Sequence, residues 1–126
     1  MAFKKQSEVV VVGAGPVGLL TAISLKGAGV DVRIFDAGSR TAAHSYALVL
    51  HPSTLDLLDR VGLGAGCIEA GRVVSGLTVY ERNVAGEHLD FSKLPGPYPF
   101  AVVLPQSRLE SILESALEKR GVAVEW

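Results

Sequence analysis

The chain carries one cysteine, Cys67, in 126 residues. That excludes an intrachain disulfide and a cysteine-built metal cluster, and Cys67 itself reads as a small core residue rather than a nucleophile. No apolar run is long enough to span a bilayer, because the longest, around the first predicted helix, is interrupted by Thr21, Ser24 and Lys26. Neither sign of charge dominates: 12 Lys and Arg face 13 Asp and Glu, for a net charge of −1. A basic footprint for nucleic acid is therefore missing, and no nucleic-acid partner is expected. The opening Met-Ala-Phe-Lys-Lys-Gln is too short and polar for a secretory signal, so a cytoplasmic setting is expected. Repeats and low-complexity segments are also missing. Apolar residues make up 48% of the chain, which suits one domain with a modest core and rules out a disordered chain.

What is present is concentrated near the start. Val9-Val10-Val11-Val12 reads as a strand buried on both faces, since parallel strands covered on both sides lose alternation. It runs into Gly13-Ala14-Gly15-Pro16-Val17-Gly18, a Gly-x-Gly-x-x-Gly loop, and then into a helix-compatible run to Lys26. A second apolar run, Val30 to Phe35, ends on Asp36. This is the order of a dinucleotide-binding βαβ unit. Gly13 allows the tight turn out of the strand, Gly15 lets a pyrophosphate approach the backbone, and Gly18 lets the helix pack closely. Pro16 fits the helix start because its missing N–H had no partner there. The first-turn amides and the helix dipole then face the phosphates. Asp36 can accept hydrogen bonds from both hydroxyls of an adenosine ribose and would repel a 2′-phosphate. The expected ligand is therefore FAD or NAD rather than NADP.

Residues 37–46 form a small, polar loop by composition. Ala47-Leu48-Val49-Leu50 is a short extended run before Pro52. Ser53 to Arg60 reads as a short helix, with Ser53 as cap, Asp56 in the capping-box position and Gly62 as its stop. Leu63 to Gly71 is expected to be a glycine-rich connection. Leu77–Tyr80 and Glu87–Phe91 are expected to pair as a hairpin around Asn83-Val84-Ala85-Gly86, within an excursion spanning 72–92. Ala101-Val102-Val103-Leu104 is the next parallel-type strand expected. The last helix is predicted from a Ser107/Glu110 capping box and a stripe of Leu109, Ile112, Leu113, Ala116 and Leu117, with Gly121 as its stop. Val122 to Trp126 reads as a strand. The expected fold class is α/β: a Rossmann-like, three-layer FAD/NAD(P)-binding fold with a small antiparallel hairpin layer, residues 1–126 forming one domain.

The pattern resembles the FAD-dependent aromatic hydroxylases typified by para-hydroxybenzoate hydroxylase. The resemblance rests on the glycine loop, on Ala47-Leu48-Val49-Leu50-His51-Pro52-Ser53-Thr54-Leu55 with Leu57-Leu58-Asp59-Arg60-Val61-Gly62-Leu63, and on Leu104-Pro105-Gln106-Ser107. It implies that Gly13, Gly15, Pro16, Val17, Gly18 and Asp36 hold the ADP half of FAD. It implies that Gln106 contacts the ribityl–phosphate side. Two further cofactor-facing positions depart from the family: Ala37 and Tyr46 stand where it usually has arginine. Arg40 is a candidate to compensate, and His44 and His51 read as structural or solvated histidines. No catalytic residue is assigned.

The resemblance further implies NAD(P)H as reductant, a small aromatic substrate, and a fold incomplete relative to the family, whose members are several times longer. The remainder of such an enzyme, or another chain, is the partner expected. Two other readings stay open on the residues: an NAD-dependent dehydrogenase domain, and a non-catalytic dinucleotide-binding module that needs a partner chain.

Overall fold

The computed structural model describes residues 7–39 and 46–126. They belong to two units, one built from the start of the chain and its last twenty residues, the other from Tyr46–Gln106. Arg40 and His44 lie outside the described residues.

In the first unit, β1 (Val9–Val12) leads into α1 (Pro16–Gly27) and returns as β2 (Val32–Phe35). These strands pair in parallel, Val9 opposite Val32 and Val12 opposite Phe35. The last strand, β8 (Val124–Glu125), joins β2 in parallel, so the sheet order is β1-β2-β8. Leu19, Ala22 and Ile23 of α1 are buried at helical spacing, as are Val32 and Ile34 of β2 and Val124 of β8. Helix α4 (Gln106–Glu118) adds Leu109, Leu113, Ala116 and Leu117 to the core, and Ile112 is half-buried. The helix starts one residue before Ser107, so Ser107 lies in its first turn rather than before it. At its far end, Arg120 donates to the Ala116 carbonyl and Gly121 takes a positive φ of 79°.

The four valines are not buried on both sides. Val9 and Val11 are half-buried, whereas Val10 and Val12 are exposed, Val12 by 84%. Register puts Val10 and Val12 on the same face as Arg33, Phe35 and Glu125. Arg33 crosses to β8 on that face. Its Nε and Nη2 donate to the two carboxylate oxygens of Glu125 at 2.7 and 2.6 Å, and the guanidinium lies 4.6 Å from the centre of the Phe35 ring. The pair holds the Glu125 carboxyl below its usual range and raises Arg33.

In the second unit, β3 (Ala47–Leu50), β4 (Arg72–Val74) and β7 (Ala101–Pro105) form an antiparallel sheet with β7 in the middle. The expectation that Ala101–Leu104 is a parallel-type strand is therefore overturned. Its direction is set by pairing with β3 and β4, which the apolar run itself does not encode. Two helices lie between β3 and β4. The first, α2 (Pro52–Arg60), buries Leu55 and Leu58. Its cap is His51 and its first residue Pro52, so Ser53 sits inside the helix and makes no cap; Asp56 instead pairs with Arg60 at 2.7 Å. The second, α3 (Gly64–Ala70), occupies the segment expected to be an irregular connection. It forms because Cys67 is wholly buried and because Gly64 lies where a Cβ would press on Asp59.

The hairpin consists of β5 (Gly76–Glu81) and β6 (Val84–Asp90). Its turn is the two-residue Arg82-Asn83, both at positive φ (47° and 64°), rather than the longer Asn83–Gly86 expected. That is the geometry of a type I′ turn, which matches strand twist. Arg72–Val74 belongs to the β3–β7–β4 sheet, not to the hairpin. Beyond β6, a single 3₁₀ turn at Phe91–Lys93 is capped by Asp90, which accepts from the Ser92 amide.

Candidate cofactor site

The glycine loop joins the carboxyl end of β1 to the start of α1. The Gly13 amide donates to the Phe35 carbonyl at 2.7 Å, and Gly13 takes a φ of 103°, a turn that a side chain would strain. Gly15 caps α1 in extended conformation with no side-chain hydrogen bond, and Pro16 is the first helical residue. A Cβ on Gly15 would meet nothing within 4 Å, so the backbone there is open to a close-approaching group. A Cβ on Gly18 would overlap the carbonyl oxygen of Gly13 and lie 3.5 Å from a Val11 methyl. The third glycine thus lets the helix close on both the loop and the strand. Val17 is exposed beside it.

Asp36 fastens this loop to the end of β2. One carboxylate oxygen accepts the Ala14 amide at 2.6 Å, and the other accepts the Gly38 amide at 2.6 Å. The Ala14 bond and then the Gly38 bond hold the carboxyl below the ordinary carboxylate range. The acid is ionised at neutral pH, and each oxygen keeps a lone pair for a further donor such as a ribose hydroxyl. The Ala14 amide was not singled out from the sequence, because a backbone group leaves no residue-type signal.

At the carboxyl ends of the three parallel strands lies an open cleft of about 450 Å³. Asp36 and Ala37 line one part of it and Glu125 and Trp126 another. This is where open parallel sheets bind ligands. Tyr46 and Gln106 lie in the other unit. The Gln106 amide donates to the Tyr46 carbonyl at 2.7 Å, continuing the β3–β7 ladder past Ala47 and Pro105. Tyr46 is exposed and Gln106 half-buried. His51 is committed to the start of α2.

A βαβ unit with an open glycine at the helix start and a terminal acid tied to the loop defines a dinucleotide-binding α/β protein. The chain belongs to the FAD binding domain family, whose model matches residues 6–126. It is 39% identical over 121 residues to 6-methylpretetramide 4-monooxygenase of Streptomyces rimosus, covering 94% of this chain and 22% of that protein. It is 35% identical over 111 residues to pentachlorophenol 4-monooxygenase of Sphingobium chlorophenolicum, covering 87% and 21%. Among solved structures it superposes on p-nitrophenol 4-monooxygenase of Pseudomonas putida with a TM-score of 0.85 and 30% identity, over 93% of this chain and 31% of that one. The chain therefore spans about a fifth of the length of these curated relatives. Its dinucleotide is FAD, which favours the flavoprotein reading over the NAD-dependent dehydrogenase alternative. The open Gly15 backbone and the ionised Asp36 fit the phosphate and ribose of that cofactor. Among the described residues no helix is long and apolar enough to cross a membrane.

Proposed function

We propose that this chain is the FAD-holding part of a flavin-dependent monooxygenase that hydroxylates a small aromatic compound with NAD(P)H and O₂. The observation that carries the reading is the Asp36 clasp on the Ala14 amide, which sets acid and glycine loop side by side. The relatives named above are, by their names, monooxygenases of 6-methylpretetramide and of pentachlorophenol, which supports the substrate class. Bound FAD supplies the redox chemistry, being reduced by the nicotinamide nucleotide and activating oxygen. A reaction fed by NAD(P)H agrees with the cytoplasmic setting expected from the sequence.

The residues have separable roles in this reading. Gly13, Gly15, Pro16, Val17 and Gly18 shape the turn and present the amides of the first turn of α1 to the pyrophosphate. Asp36 accepts the ribose hydroxyls while its other lone pairs keep the loop in place. Gln106 takes the ribityl–phosphate side. Tyr46 offers a ring face and one hydroxyl to the cofactor, but no positive charge. Ala37 contributes only a methyl group beside the ribose. Binding and orientation are what these residues do; no described residue is assigned as acid or base.

The test is to purify the chain with added FAD, desalt it and record the visible spectrum. A retained flavin band is expected, and Asp36→Ala should lose it at the same protein concentration. A colourless wild-type protein that binds NAD instead would overturn the reading. Equal flavin retention by Asp36→Ala would remove the role given to Asp36.

A further inference from the structure

We propose that Gly38 is a positioning residue for the cofactor acid: its amide and its missing side chain together hold the Asp36 carboxylate in the orientation that fastens the glycine loop. This rests on the FAD reading above. The Gly38 amide lies two residues beyond the acid and donates back to Oδ1 of Asp36 at 2.6 Å, while Oδ2 accepts the Ala14 amide at 2.6 Å. The carboxylate is thus gripped from two sides, by the loop that opens α1 and by the segment that leaves β2. The same grip lowers the Asp36 carboxyl, the Ala14 bond first and the Gly38 bond second.

Backbone conformation does not demand glycine at position 38. Its φ lies outside the left-handed region, so a side chain would not strain it. Space demands it instead. A Cβ there would stand 2.9 Å from Oδ1 and 3.9 Å from Cγ of Asp36, and among the described residues beyond its chain neighbours it would meet nothing else within 4 Å. The whole crowding therefore falls on the acid, and the cheapest relief is to rotate that side chain. A carboxylate is planar, so turning Oδ1 away from position 38 swings Oδ2 off the Ala14 amide. A methyl group at position 38 is thus felt at the glycine loop, which it does not touch.

The test couples position 38 to the acid. FAD is titrated into the full chain at equilibrium and followed by its fluorescence. Gly38→Ala should weaken binding on the order of tenfold, the effect of disturbing one hydrogen bond to a charged group. The same change made together with Asp36→Ala should add nothing, because the group it acts on is gone. Gly27→Ala, where a Cβ meets nothing within 4 Å, should leave affinity unchanged and controls for an added methyl group. In the wild type, the Ala14 and Gly38 amide resonances should titrate together with one midpoint below 3.8, and Gly38→Ala should raise the midpoint seen at Ala14. Unchanged affinity in Gly38→Ala, or an equal loss with and without Asp36, overturns the inference while the FAD reading stands. A wild-type Gly38 amide that does not follow the Ala14 titration also overturns it, and that readout needs no variant to fold. If the wild type binds no FAD, yet both amides share the low midpoint and Gly38→Ala raises it, the positioning role stands and the cofactor reading fails.

Discussion

Asp36 ties the proposed cofactor site together, and it does so through backbone groups. Its two oxygens take the Ala14 and Gly38 amides, so the acid proposed to meet the ribose also fixes the loop proposed to meet the phosphates. A pH dependence follows with a definite sign. The Ala14 bond first, then the Gly38 bond, lowers the carboxyl from its ordinary value of 3.8. A depressed carboxylate contributes stability that is fully present above 3.8 and is lost as pH falls through the lower folded value. The unfolding midpoint of the wild type should therefore exceed that of Asp36→Asn at neutral pH, and the gap should close in acid. Thermal unfolding of the two proteins across that range checks it; a gap independent of pH would contradict the clasp. Asp90 and Glu125 are lowered as well, and comparison with Asp36→Asn cancels their share. The position and type of the acid were legible in the sequence, as were the glycines. Its partners were not, because both are main-chain amides.

Among the elements, those specified by local chemistry were legible and those specified by neighbours were not. Strand, glycine loop, helix and second strand follow one another within a single stretch, and the periodic leucines of α4 announce its buried face. Helix α3 was hidden because Gly64 and Gly66 carry little helical signal. Burial of Cys67 supplies what propensity does not. The direction of β7 was hidden for another reason: a buried apolar run reads the same whichever way its partners run. The hairpin turn was displaced because Arg82-Asn83 lacks the glycine that usually marks a type I′ turn. Here asparagine tolerates the left-handed region that Asn83 occupies, and a β-branched residue does not. Asn83→Val should cost about 1–2 kcal/mol locally. The expected readout is faster amide exchange across β5 and β6, with α1 and α4 unaffected. Unchanged exchange in the hairpin would show that the turn is not under that constraint.

For the whole molecule, the sequence carried the α/β class and a dinucleotide motif, its resemblance implied FAD, and the family match bears FAD out. It did not show that the first strand would keep one face bare. Among the described residues β1 has a single strand neighbour, β2, and its Val10 and Val12 face outward. Four consecutive valines on an unpaired sheet edge are a template for another strand to add to. The consequence is colloidal. The segment that aims the glycine loop is also the place where self-association would begin, and its rate would rise with concentration. Val10→Thr keeps the β-branched shape and adds a hydroxyl on the exposed side. Light scattering at high protein concentration should then grow more slowly than in the wild type, with FAD retention unchanged. Equal growth would place the sticky surface elsewhere, on the exposed Leu77, Val79 and Leu89 of the hairpin. The nucleotide strand thus works under two constraints at once, and only its outward-facing valines are free to answer the second.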